Sequence, residues 1–207
     1  MSLLLPSTRE NGLYAAGIDE AGRGSLIGPV TAAIVILPND FLDQCKEKKI
    51  IIRDSKKMTK LQREKSKKFI ESHAIDFNVQ FIDEKKIDEI GILKSTMLCM
   101  NKCVDNLKQE PLKLLIDGNY YENHRKDLIY ETFIKGDEFY PEISCASILA
   151  KTYRDEYIQS LVQEDSSLQE KYNLANNMGY GTKKHIDGIR EYGLSDLHRK
   201  SFCKNFV

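Results

Sequence analysis

Long apolar runs are missing from this chain. No stretch reaches the ~18 residues that a membrane-spanning helix needs, so no transmembrane segment is expected. The opening MSLLLPSTRENG has a short apolar stretch with no basic residue ahead of it, unlike a secretory leader. Paired cysteines are missing too. There are five, an odd number, and none stand in a C-x-x-C arrangement. Cys99 and Cys103 sit at helical spacing, and with Cys45, Cys145 and Cys203 they read as reduced, buried thiols rather than zinc ligands or disulfide partners. A cytoplasmic protein without membrane attachment is expected. A basic excess is also missing, since 31 Lys and Arg balance 31 Asp and Glu. Nucleic-acid binders usually carry such an excess. A nucleic-acid partner would therefore need a local basic face balanced by acids gathered elsewhere. Internal repeats and low-complexity segments are absent, and 207 residues suffice for one sizeable core with a small appendage.

What is present reads as alternating elements. Tyr14 to Asp19 predicts a short strand and Pro29 to Leu37 a second, β-branched one, joined as a hairpin by the wide loop EAGRGSLIG. Thr59 is placed to cap a helix running to about Ser72. Asp76 to Ile82 alternates as a third strand. Ile92 to Leu107 is amphipathic, with Ile92, Thr96, Cys99, Cys103 and Val104 on one stripe. Leu112 to Ile116 is a continuous apolar run of the kind found in buried central strands, ending in the turn signal Asp117-Gly118-Asn119. Ser144 to Val162 predicts a long helix. A polar stretch, the glycine-rich MGYGT, a helix over Lys183 to Tyr192 and a last one near Ser195 to Lys200 complete the chain. The pattern points to a mixed sheet flanked by helices, with the last ~40 residues as a small helical appendage.

Acidic residues fall at strand ends. Asp19 closes the first strand, Glu20 opens the loop and Asp117 closes the apolar run. Carboxylates placed there lie at a sheet edge where ligands gather. Neighbours in a strand point to opposite faces, a rule Glu20 escapes if the chain turns at that point. Clustered carboxylates repel one another, and a divalent cation with oxygen ligands relieves that repulsion. Taken singly, Asp19 and Asp117 read first as turn-forming residues. Gly22-Arg23-Gly24 follows the acidic pair. Its glycines allow close backbone approach and its arginine offers a fork suited to phosphate, though a solvated hairpin loop would look the same. Ser147, Lys151 and Asp155 share one face of the long helix, where Lys151 and Asp155 also fit a plain surface pair. Tyr180 stands between glycines ahead of Lys183, Lys184 and His185, which suits stacking beside a phosphate track and equally a capped helix with a solvated basic face.

Together these segments resemble the ribonuclease HII family. The matching blocks are GIDEAGRGSLIGPV at Gly17 to Val30, DSKKMTK at Asp54 to Lys60, ILKSTMLCMNKCV at Ile92 to Val104, and LLIDGN at Leu114 to Asn119. They continue with KGD at Lys135 to Asp137, SCASILAKTYRDEY at Ser144 to Tyr157 and MGYGTKKHIDGIREYGLSDLHRKSF at Met178 to Phe202. The resemblance implies an α/β, ribonuclease H-like fold: a central five-stranded mixed sheet flanked by helices, with a small C-terminal helical appendage. It implies a catalytic domain over 1–165 and a substrate-contacting helical region over 166–207. It assigns a four-carboxylate metal site to Asp19, Glu20, Asp117 and Asp155, holding two Mg²⁺ or Mn²⁺ ions. Departures are Ser25 and Cys203 where the family often has proline, and Gly91 where asparagine is common. The third type of ribonuclease H usually has an extra N-terminal domain and a lysine in the glycine loop, where this chain has Arg23.

The activity so implied is hydrolysis of the RNA strand in RNA–DNA hybrids, and cutting on the 5′ side of single ribonucleotides in duplex DNA, as in ribonucleotide excision repair. Products would carry 5′-phosphate and 3′-hydroxyl ends. The resemblance gives Gly22, Arg23 and Gly24 the grip on the RNA–DNA junction and Tyr180 the stack on the next deoxyribose. Ser147 and Lys151 would reach the same site, and Lys56, Lys57, Lys183 and Lys184 would contact phosphates. No obligate protein partner is evident. A junction resolvase on the same fold, or a non-catalytic binding module, are the alternatives.

Overall fold

The computed structural model describes residues 4–5, 9–10 and 13–207. Residues 1–3, 6–8 and 11–12 of the opening segment lie outside the described residues, so its reading as no leader stays an expectation. A two-stranded antiparallel ribbon, β1 (Arg9–Glu10) and β2 (Leu13–Tyr14), leads into the main sheet. That sheet holds β3 (Ala16–Ala21), β4 (Val30–Ile36), β5 (Asp76–Ile82), β6 (Leu114–Asp117) and β7 (Tyr130–Phe133), in the spatial order β5-β4-β3-β6-β7. β3, β4 and β5 pair antiparallel, while β6 pairs parallel to β3 and to β7. This is the expected five-stranded mixed sheet. β3 and β4 form the expected hairpin, but β3 runs two residues beyond Asp19, because Glu20 and Ala21 still pair with Ala32 and Thr31.

The helices are α1 (Phe41–Glu47), α2 (Lys60–His73), α3 (Glu84–Ile90), α4 (Ile92–Asp105), α5 (Pro141–Glu164), α6 (Ser167–Tyr172), α7 (Leu174–Asn177), α8 (Lys183–Tyr192) and α9 (Lys200–Cys203). Thr59 caps α2 as expected, in a full capping box with Gln62. α4 covers one sheet face through Met97, Cys99, Met100, Cys103 and Val104, packed on Ala16, Ile18 and Ile34. α5 covers the other, with Cys145, Ala146, Ile148 and Leu149 against Ala33 and Val35. β4 is buried along its whole length between them. The five cysteines are all free and buried, as expected. No described helix is long and apolar enough to cross a membrane.

The C-terminal helices pack through Leu168, Tyr172, Leu174 and Ile189 onto Ile158 of α5 and onto Leu26 and Ile27 of the loop after β3. Two isolated bridges, Ser25 with Tyr180 and Ile27 with His198, bind that loop to the C-terminal segment. The last helix lies at Lys200–Cys203 and not near Ser195 to Lys200. His198 and Arg199 are drawn inside, at 1% and 0% exposure. There Arg199 donates to the carbonyls of Gly28 and Arg23, and a surface helix through these residues would break those contacts.

The tightest joint between helix and sheet is at Gly17. A Cβ there would lie 2.2 Å from the backbone carbon of Glu142, so α5 rests directly on β3 two residues before Asp19. Gly17→Ala should cost about 1–3 kcal/mol through forced separation of the layers, measurable by urea denaturation. Unchanged stability would show that this contact does not set the spacing.

Candidate active site

β3 and β6 run parallel with Ile18 opposite Ile116. The next residues, Asp19 and Asp117, therefore project to the same face from strands about 4.8 Å apart. That face is the one covered by α5: Gly17 abuts Glu142, and Leu115 packs on Ile143. Asp19 is 7% exposed. Burial holds its carboxyl well above the usual carboxylate range, and the charges of Glu20 and Asp117 raise it further. A hydrogen bond from Ser147 and the Glu20 amide, 2.7 Å from Oδ1, work the other way. Ser147 itself is tied to Ser55 at 3.0 Å.

Glu20 does not escape strand alternation. It stays in β3, on the Ala16 and Ile18 side, at the rim of the same cluster. Burial raises its carboxyl, the charge of Arg23 opposes that, and Asp117 adds to the rise. Arg23 Nη1 lies 3.2 Å from its Oε1. Asp117 is raised chiefly by burial, against the amides of Gly136, at 2.8 Å, and Asp137.

The fourth acid at this edge is Asp137, in a 3-10 turn at Gly136–Glu138 following β7. Burial raises its carboxyl first, then the charges of Asp117 and Asp54. Lys56 is the ammonium that eases Glu20, Asp117 and Asp137 alike.

Asp155 is not brought to this cluster. It lies two helical turns beyond Ser147, roughly 12 Å along the axis at 1.5 Å per residue. Its carboxylate is held by Lys151 at 2.7 Å and faces Arg63 at 3.6 Å. It borders a separate hollow with Gln159 and Met178. The expectation that Asp155 completes the quartet is corrected by helix geometry: residues at i and i+8 share a face but not a site. Asp137 belongs to the KGD block, and its position directly after β7, which pairs with β6, is what brings it to Asp117.

The described residues contain no three acidic, histidine or cysteine side chains already wrapped around one point as a metal shell. Glu20 leans to Arg23 and Asp117 to backbone amides. The donor chemistry nonetheless fits a hard divalent ion: oxygen donors only, partly desolvated and raised by one another's charge.

A cleft of about 530 Å³ opens over the cluster, walled by Asp19, Gly24, Lys56, Ser147, Lys151 and Tyr180 among others. Gly22 (φ +88°) lies on Arg154, where a Cβ would meet Nε at 2.1 Å. Gly24 differs: a Cβ there would meet nothing within 4 Å, so the fold does not demand glycine and the open space faces the cleft. Tyr180, bridged to Ser25 beside it, is 36% exposed, its ring centroid 5.4 Å from the Arg154 guanidinium and 5.8 Å from Lys151 Nζ. Of the expected phosphate-contacting lysines, Lys56 faces the cleft. Lys57 pairs with Glu138 at 3.1 Å and Asp54 at 3.5 Å, Lys183 pairs with Asp187 at 2.6 Å, and Lys184 borders a different hollow beside Glu191.

The ribonuclease HII family model matches residues 16–205. A ribonuclease HII of Phocaeicola vulgatus is 44% identical over 200 residues, covering 97% of this chain and 94% of that protein. The chain belongs to the ribonuclease HII family. It is accordingly a metal-dependent endoribonuclease. The crystal structure of the ribonuclease H2 from Pyrococcus horikoshii OT3 superposes with TM-score 0.76 at 23% identity, covering 93% of this chain and 96% of that one. Bst-RNase HIII in complex with Mn²⁺ superposes with TM-score 0.67 at 18% identity, covering 86% of this chain and 62% of that one. Both share the fold of this chain.

Two outcomes are expected. Asp137→Asn should lower cleavage by at least about 100-fold, whereas Asp155→Asn should retain most of it; steady-state assays of both variants decide, and the reverse ranking would return Asp155 to the centre. The second concerns pH. Raised folded-state values mean that the folded protein binds protons more tightly than the unfolded chain, so metal-free stability falls as pH rises. The penalty is full above the raised values and fades as pH drops toward the unfolded range near ~4. Metal-free Asp19→Asn should therefore melt higher than the parent at neutral pH, with the gap closing as pH falls toward ~4. A gap independent of pH would contradict the electrostatic origin.

Proposed function

We propose that this protein cuts the RNA strand of RNA–DNA hybrids and cleaves on the 5′ side of single ribonucleotides embedded in duplex DNA, leaving 5′-phosphate and 3′-hydroxyl ends. The observation that carries this reading is the side-by-side placement of Asp19 and Asp117, with Asp137 beside them, under a cleft bounded by the glycine loop and Tyr180. Asp19, Glu20, Asp117 and Asp137 would hold a pair of divalent ions, Mg²⁺ or Mn²⁺. When bound, such ions acidify water and counter the charge of the departing 3′ oxygen.

The chain's own groups supply selection and orientation. Backbone N–H groups around Gly24 can approach the ribose, whose 2′-hydroxyl distinguishes RNA from DNA. Tyr180 offers a ring face to the following deoxyribose, where a second 2′-hydroxyl would crowd it. Arg23, Lys56 and Lys151 offer positive charge to the backbone, so binding should weaken as salt rises. Residues 166–207 form the substrate-contacting region in this reading, through Tyr180. Removal of misincorporated ribonucleotides from DNA, in the cytoplasm, is the cellular role it fits.

A labelled duplex with one embedded ribonucleotide, and one with a full RNA strand, test this with Mg²⁺ or Mn²⁺ in turn. Metal-dependent nicking 5′ of the ribonucleotide is expected, and failure to cut either duplex would overturn the proposal. Tyr180→Ala should slow cutting at isolated ribonucleotides by roughly 5- to 100-fold, the worth of one stacked ring, with a smaller effect on the full hybrid. Equal loss on both substrates would remove the stacking role.

A further inference from the structure

Two histidines that the cleavage chemistry leaves unused lie buried behind Tyr180. His185 and His198 are 0% and 1% exposed, with their Nε2 atoms 3.2 Å apart. His185 Nδ1 lies 3.0 Å from the carbonyl oxygen of Tyr180. His198 Nδ1 lies 2.9 Å from both the backbone nitrogen and the hydroxyl oxygen of Ser195, and the backbone N–H donates to it. The ring of Tyr172 packs edge-on against His198, centroids 4.8 Å apart, and its hydroxyl donates to the Gly193 carbonyl.

The backbone groups at the two ends, an N–H at Ser195 and a carbonyl at Tyr180, decide where the protons sit. A backbone N–H can only donate, so Nδ1 of His198 carries a lone pair, and the neutral ring keeps its hydrogen on Nε2. That N–H points at Nε2 of His185, which must accept. His185 therefore carries its hydrogen on Nδ1 and donates it to Tyr180. Burial favours the neutral rings, lowering His185 and, with the charge of His185 as a second cause, taking His198 to about 4. A proton added to either ring would set N–H against N–H.

The relay also closes a frame. Tyr180 is bridged to Ser25 and His198 to Ile27, two points on the glycine loop. We infer that His185 and His198 are positioning residues, forming a directional relay from the Ser195 amide through two neutral imidazoles to the Tyr180 carbonyl, which fixes where the Tyr180 ring stands over the cleft. The functional part of this inference rests on the proposed sugar-contacting role of Tyr180.

The test uses the full chain and the two duplexes named above. His198→Phe keeps a ring of similar size and removes both nitrogens. It should lower the ratio of single-ribonucleotide to full-hybrid cutting by about the same factor as Tyr180→Ala, roughly 5- to 100-fold. In the double variant it should add nothing further, because the two changes act through one group. A ratio unchanged by His198→Phe while Tyr180→Ala lowers it, or effects that multiply, would overturn the positioning role. A ratio unmoved by Tyr180→Ala itself would instead sink the sugar-contacting role. A second measurement needs no variant: ¹⁵N imidazole spectra of the unaltered protein, which has four histidines. Expected are a buried Nδ1–H ring and a buried Nε2–H ring, both neutral near pH 7. Two like tautomers, or a cationic buried ring, would refute the relay.

Discussion

The parallel pairing of β3 with β6 sets two aspartates side by side at the end of a buried sheet, and the rest of the structure is arranged around their repulsion. Ser147 and the Glu20 amide donate to Asp19, the Gly136 amide donates to Asp117, and the Lys56 ammonium eases Glu20, Asp117 and Asp137. None of these neutralises the cluster. Folding energy from two well-filled sheet faces holds carboxylates where they would not gather unaided. The closeness of α5 at Gly17 shows how firmly the layers are set just before the site.

The glycine loop and the C-terminal segment form a second structural problem, solved with buried cations. Arg154 donates to the carbonyls of Pro29, Ile27 and Met178, and Arg199 to those of Gly28 and Arg23. Neither is paired with a carboxylate in these contacts. Burial lowers both, and the charge of Arg154 helps bring Arg199 to about 9. A guanidinium satisfies several carbonyls from one position, which suits a loop whose backbone must turn sharply and stay out of the sheet ladder. Loop and Tyr180 are thereby held as one unit in the wall of the cleft that the acids also line.

Much of this was legible in the residues. β5 and α8 fall on their expected bounds, β4 and α4 within two residues, because apolar alternation and capping are local signals. β7 was not foreseen: three of its four residues are exposed, so no buried face marks it. α3 was missed as a short, highly charged segment. Asp19, Glu20 and Asp117 could be picked out because each sits where a strand pattern stops. Asp137 sits in a turn whose place beside Asp117 depends on the unseen β7. Asp155 drew attention by sharing a helix face with Ser147, although a rise of 12 Å or so over eight residues separates the two. Lys57, Lys183 and Lys184 each found an acidic neighbour or another face, which spacing alone does not reveal.

The most direct measurement is anomalous diffraction from crystals of the protein soaked with Mn²⁺. Peaks between Asp19 and Asp117, with Asp137 oxygens as ligands and Asp155 still bound to Lys151, are the expected result. A peak coordinated by Asp155, or none near Asp19, would contradict the assignment of this sheet edge as the metal centre.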